Sequence, residues 1–215
     1  MPALYPSLIA ANQLSLQQTL DALDPYTDGY HLDIMDNHFV PNLTWGHGMI
    51  NAIAAYTTRQ LWVHLMVDNP ERWVEQLALP PESIVTFHIE GCTNPLHIIH
   101  AIQKKEWYAS VAINPRTAVD TIIPLLSKLD QVLIMSVEPG FSGQQFIASS
   151  IEKIHTVTQH KNAHNLVVHI GIDGGIDKKN IAPLAHAGVE DFVIGNALFK
   201  TQDPAQTLQE FKALI

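Results

Sequence analysis

A single cysteine, Cys92, and three arginines, Arg59, Arg72 and Arg116, are all that 215 residues contain of those two types. One thiol excludes a disulfide framework and any cysteine-rich zinc module, and it fits a reducing compartment. Long apolar runs are missing as well: nothing approaches the roughly 18 residues of a membrane helix. The stretch Met1-Pro2-Ala3-Leu4-Tyr5-Pro6 lacks the basic-then-apolar order of a secretory leader, so a soluble cytoplasmic protein with no membrane partner is expected. Basic clusters are absent, with 12 Lys+Arg against 21 Asp+Glu and a formal net charge of -9. A nucleic-acid backbone is held chiefly by clustered Lys and Arg, so that partner is excluded. A small phosphorylated ligand is not, because backbone amides can hold it. With 47% hydrophobic and 15% charged residues the chain can bury a full core, and no linker, charge run or low-complexity stretch divides it; one domain over 1–215 is expected.

What is present is alternation. Short β-rich runs at 5–9, 30–35, 61–66, 84–89, 110–113, 132–136, 166–172 and 192–194 are separated by helix-spaced segments at 14–23, 48–56, 70–77, 95–105, 118–126, 148–160, 179–186 and 204–214. Several runs, such as Val132-Leu133-Ile134-Met135, are apolar on both faces, as parallel strands covered by helices require. Eight repeats of about 27 residues each match a strand of about 5, a helix of about 11 and two loops of roughly 4 to 5. The expected fold is α/β, a single (β/α)8 TIM barrel. A doubly wound open sheet is the runner-up, weakened by the lack of G-x-G-x-x-G after the first strand.

Barrel chemistry belongs at the carboxyl ends of the strands, where alternation sets which side chains face inward. In His31-Leu32-Asp33-Ile34-Met35 the first, third and fifth share a face; in His64-Leu65-Met66, His64 and Met66 do; and Asp173 ends an apolar strand before Gly174-Gly175. Taken singly, Asp33 has a carboxylate satisfied by backbone amides as its lesser reading, since aspartate is depleted in strands and rarely buried unpaired, whereas His64 reads equally as a hydrogen-bonded core histidine. Together, His31, Asp33, His64 and Asp173 form a mixed nitrogen and oxygen donor set suited to a divalent metal. No H-x-H occurs, which counts against paired histidines on one strand. Glycines mark a second region, in Pro139-Gly140-Phe141-Ser142-Gly143-Gln144, Gly174-Gly175 and Gly195-Asn196, after the sixth, seventh and eighth strands. Late barrel loops of this composition can build a phosphate pocket from backbone N–H groups.

The stretches H-L-D-I-M-D-N-H-F-V-P-N (31–42), V-H-L-M-V (63–67), M-S-V-E-P-G-F-S-G-Q-Q-F (135–146) and I-D-G-G-I (172–176) resemble the ribulose-phosphate 3-epimerase family in order and spacing over nearly the whole chain. The resemblance implies a metal-dependent isomerase interconverting D-ribulose 5-phosphate and D-xylulose 5-phosphate through an enediolate, with one divalent ion (Zn, Fe, Mn or Co) per chain. It places metal ligands on His31, Asp33, His64 and Asp173, and the acid/base pair on Asp33 and Asp173. Substrate contacts fall on Ser7 in the first strand, His64, Gly140, Ser142, Gly143, Gly174, Gly175, Gly195 and Asn196, and Met35, Met66 and Met135 line the reacting centre. A ketose-phosphate partner and a homo-oligomer, dimer or hexamer, are implied too.

Four positions depart from the family pattern: Asn37, Ser142 and Asn196 replace Gly, Gly and Ser, and Gly171 replaces a Glu. Asparagine tolerates the left-handed turn that glycine would make at 37. Ser142 and Asn196 still offer hydrogen-bond donors. His88, in F-H-I-E, reads either as a neighbour of the metal ligands or as a packed core histidine. Epimerisation of a hexulose 6-phosphate such as allulose 6-phosphate is the near alternative. A lyase or decarboxylase is disfavoured by the lack of lysine in the first three strands, and a non-catalytic sugar-phosphate binder by the complete donor set.

Overall fold

Alternation along each strand sends side chains into two separate interiors. In the computed structural model, which describes residues 2–215, strand β2 (Gly29–Met35) is buried along its whole length. Tyr30, Leu32 and Ile34 join the outer core beneath the helices, while Met35 joins Met66 and Val40 in a separate cluster on the opposite face. The same division holds in β3 (Gln60–Met66), β4 (Ile84–His88), β5 (Tyr108–Ile113), β6 (Gln131–Met135) and β7 (His169–Asp173), and in the two short strands β1 (Ala3–Pro6) and β8 (Asp191–Ile194). All strand pairings are parallel, in the order β1-β8-β7-β6-β5-β4-β3-β2, and a parallel bridge from Ser7, just after β1, to His31 in β2 closes the barrel. The result is the expected (β/α)8 barrel.

The outer layer contains α1 (Leu16–Leu23), α2 (His47–Tyr56), α3 (Pro70–Gln76), α4 (Pro95–Gln103), α5 (Ser150–Ala163), α6 (Ile181–Ala187), the single-turn α7 (Asn196–Phe199) and α8 (Pro204–Lys212). Proline opens α3, α4 and α8 at a position where its missing N–H costs nothing, and the Asp203 carboxylate caps α8 by accepting from the Gln206 N–H at 2.9 Å. Among the described residues no helix is long and apolar enough to cross a membrane.

Three expected elements differ. The helix expected over 118–126 is two 3-10 turns, Val119–Thr121 and Ile123–Lys128, because four of the five residues 119–123 are β-branched and Pro124 supplies no N–H. The first strand ends at Pro6 rather than running to 9, so Ser7 follows the strand, and Leu8–Ala10 is a 3-10 turn. Residues 166–168 are irregular chain following the turn after α5, where the Leu166 N–H reaches back to the Lys161 carbonyl (2.9 Å), and β7 starts at His169.

The barrel interior is filled from its amino-terminal end. Trp62 on β3 is fully buried; its indole N–H donates to Thr86 Oγ1 (2.7 Å), and its ring meets Tyr5 and His31 edge to face, each at 5.1 Å between centroids. Gly171 lies against it: a Cβ there would stand 2.6 Å from the indole Cη2. The large indole thus accounts for glycine at this position. Below it, Tyr5 donates to Gln60 Oε1 (2.7 Å), and Gln131 accepts from Ser110 and donates to Asp191 (both 2.8 Å).

Burial, with the nearby carboxylates of Asp191 and Asp28, pushes the Tyr5 phenol far above its ordinary value of 10, and burial with Asp24 does the same for Tyr30. A raised folded pKa gives stability that is complete below about pH 10 and declines as pH climbs above it. Denaturant midpoints are therefore expected to fall above pH 10, and less steeply in Tyr5→Phe. An unchanged slope in that variant would rule Tyr5 out as a source.

Candidate active site

Four side chains converge at the carboxyl end of β2, β3 and β7. Each of His31, Asp33, His64 and Asp173 offers one donor atom, and the four atoms lie within 4.8 Å of one another. Register explains the meeting, since Asp33 pairs with His64 across β2 and β3, and Met135 with Asp173 across β6 and β7. Local bonds fix the strand ends. Thr44 Oγ1 donates to the Asp33 carbonyl (2.7 Å) and accepts from the Met35 N–H (2.9 Å), while Ser136 donates through its hydroxyl to the Asp173 and Gly174 carbonyls (2.9 and 2.6 Å).

The Asp33 carboxylate accepts from Ser7 Oγ at 2.8 Å and faces His31 Nδ1 at 3.3 Å. Burial alone would raise its pKa, but the imidazoles of His31 and His64 outweigh burial and hold it well below the usual carboxylate range. His64 Nδ1 is buried without a hydrogen-bond partner, 3.4 Å from Asp33 Oδ1 and 3.6 Å from Asp173 Oδ2. Burial opposes a charge on this ring, yet the two carboxylates raise its pKa to about 9. The field that favours a proton at Nδ1 also favours a cation. An orphaned imidazole nitrogen between two carboxylates, with a second histidine beside them, fits a divalent metal.

Above these groups opens a cavity of about 400 Å³. Ser7, Asp33, Asp173, Met35, Met66 and Met135 line its floor, and Gly140, Ser142, Gly143, Gly174, Gly175, Gly195 and Asn196 line its far side. His31 and His64 have no solvent exposure and lie behind the carboxylates, so His64 faces the cavity only through what it could hold. The methionines are at most 3% exposed and present an apolar, aprotic wall. On the far side, Gly174 and Gly175 have φ of +121° and +64°, and a Cβ on Gly175 would stand 2.6 Å from the Phe146 backbone nitrogen. Only glycine lets the β6 and β7 loops approach this closely. Gly143 likewise packs directly under the Asn196 amide, and two of the altered positions, Ser142 and Asn196, line the same cavity. Asn37 adopts φ +60°, the left-handed turn expected of it.

Residues 3–199 match the model of the ribulose-phosphate 3 epimerase family. The chain belongs to this family. A ribulose-phosphate 3-epimerase from Mycobacterium tuberculosis (strain ATCC 25618 / H37Rv) is 38% identical over 204 residues, covering 95% of this chain and 89% of the relative. One from Escherichia coli (strain K12) is 34% identical over 210 residues, covering 97% and 93%. Solved structures share the fold at much lower identity. A 3-hexulose-6-phosphate synthase from Salmonella typhimurium superposes with a TM-score of 0.71 at 17% identity, covering 99% of this chain and 97% of that one. A mutant tryptophan synthase α-subunit from Pyrococcus furiosus superposes with a TM-score of 0.71 at 10% identity, covering 99% and 100%. The epimerase-family reading from the four motifs therefore holds.

Three features of the site were not assigned from the sequence. Lys200, just after α7, lines the cavity and brings the one cationic side chain among its lining residues. Asn42 donates through its side chain to the Gly140 carbonyl (2.8 Å), tying the β2 loop to the β6 loop. Glu90 fixes His88, whose Nε2 lies 2.8 Å from His64 Nε2. The signal for Glu90 was present in F-H-I-E, where it follows His88 by two residues, but the contact to His64 runs from β4 to the neighbouring strand β3.

Proposed function

We propose that this protein is an isomerase that inverts C3 of a ketose phosphate, interconverting D-ribulose 5-phosphate and D-xylulose 5-phosphate. The observation that carries the proposal is the approach of two carboxylates, Asp33 at 3.4 Å and Asp173 at 3.6 Å, to one buried imidazole nitrogen at the floor of a glycine-walled cavity. Family membership and the printed names of the relatives support the substrate.

Inversion requires removing the proton beside the C2 carbonyl and returning one to the opposite face of C3. Two bases on opposite sides can alternate as acid and base, and Asp33 and Asp173 are the pair we assign to this work. A free carboxylate with a pKa of about 3.9 is too weak for the task unaided. A divalent ion held by His31, Asp33, His64 and Asp173 would supply Lewis acidity to the oxygens at C2 and C3, and the donor set suits Zn, Fe, Mn or Co. Ser7 holds Asp33 Oδ2 and leaves Oδ1 toward His64. Met35, Met66 and Met135 keep water from the enediolate and offer it no proton. At the other end, backbone N–H groups of the β6, β7 and β8 loops, with Ser142, Asn196 and Lys200, receive the phosphate.

The test is turnover of D-ribulose 5-phosphate beside D-allulose 6-phosphate by the purified protein, before and after chelator treatment. The expected result is preference for the pentulose, loss of activity on chelation, and recovery with one ion bound per chain. Preference for the hexulose would move the substrate; full activity without metal would remove the Lewis acid.

A further inference from the structure

Behind the four donor residues runs a line of polar side chains that the reaction itself does not use. His64 Nε2 lies 2.8 Å from His88 Nε2, the rings stacked at 5.0 Å and 21°. His88 Nδ1 lies 3.3 Å from Glu90 Oε2. Glu90 is pinned in turn, its Oε1 accepting from the Asn114 N–H at 2.8 Å and from the Thr117 hydroxyl. Phe39 packs on His88 at 4.8 Å, and His64 and His88 are at most 1% exposed.

We propose that Glu90 and His88 are positioning residues that lock His64 in the tautomer whose Nδ1 carries the lone pair, turning that atom toward the metal. The proposal deepens the metal reading above and rests on it. A neutral imidazole has one N–H and one lone pair. An ionised Glu90 only accepts, so the proton of His88 stands on Nδ1 and its Nε2 accepts. At 2.8 Å one of the two facing Nε2 atoms must donate, and that atom is therefore on His64. Its only remaining site, Nδ1, is left as a lone pair between Asp33 and Asp173.

A carboxylate behind a metal-binding histidine fixes ring orientation and strengthens the ligand, and removing such a partner typically weakens metal affinity by about 10- to 100-fold. Here the carboxylate acts through a second imidazole. His31 has no such device: its Nε2 is buried without a partner beside Trp62.

The test is competition for Zn(II) between a chromophoric chelator and the metal-free full-length protein, for the parent chain, His88→Phe, His88→Gln and Glu90→Gln. With it goes 15N NMR of the histidine rings in the zinc-loaded parent chain. The expected result is His64 protonated on Nε2 and coordinated through Nδ1, with zinc affinity about 10- to 100-fold weaker in His88→Phe. In His88→Gln, which keeps an acceptor and a donor, most of that affinity returns. Coordination through Nε2, or a His88→Phe affinity equal to the parent's, overturns the relay while leaving the metal site standing. A parent chain that binds no ion overturns both. The ring spectra decide the matter even if His88→Phe does not fold.

Discussion

Asp33→Asn and Asp173→Asn are each expected to lower epimerase turnover by at least about 10²- to 10⁴-fold, the usual contribution of a positioned acid or base. Asparagine keeps the size of the side chain and an oxygen for Ser7 or His64 to approach, so the fold should survive; what is lost is the proton-accepting charge and a donor to the cation. The two variants also separate the faces of C3. With one carboxylate gone, the other can still remove and return a proton on its own side, so residual exchange of the C3 hydrogen with solvent should be confined to one of the two epimers, and to the opposite epimer in the other variant. Steady-state epimerisation and exchange into each sugar check this. Normal turnover in either variant contradicts the two-carboxylate mechanism.

The largest effect on stability should come from the barrel interior. Trp62→Ala empties a fully buried indole site and leaves Thr86 without its donor, a change expected to cost about 3–5 kcal/mol. For a chain of this size that lowers the melting midpoint by roughly 10 °C. Gly171→Ala should cost about 1–3 kcal/mol by overpacking, because its Cβ would press on the indole ring. The two positions should be coupled: in a Trp62→Phe background, where the ring is smaller, Gly171→Ala should cost markedly less. Denaturant midpoints of the four-member cycle measure this, and additive costs would show that the indole does not dictate the glycine.

That coupling also marks how far the sequence could be read. Strand ends were legible because period-two spacing puts His31, Asp33 and Met35 on one face, and the structure assembles them with His64 and Asp173 as that spacing implies. Glycine runs after three consecutive late strands were legible for a similar reason: each marks a backbone conformation or approach that side chains forbid. Contacts between strands distant in sequence were not. Nothing local links Gly171 to Trp62 or Glu90 to His64, since each pairing depends on which inward positions share a barrel layer. Local misreadings had local causes. Residues 118–126 carry helical spacing, but β-branching and Pro124 tighten them into 3-10 turns, and Pro6 coincides with the end of a strand whose apolar pattern continues to Ile9.

The central claim is that C3 of a ketose phosphate loses its proton to one carboxylate and regains one from the other. Incubating the metal-loaded protein with D-ribulose 5-phosphate in deuterated water, and following C3 by proton NMR, tests it directly. The expected result is a C3 signal that disappears from both sugars as they equilibrate, with all other carbon-bound hydrogens retained. Interconversion of the two sugars with deuterium appearing at another carbon, or with no loss of the C3 signal, would contradict it.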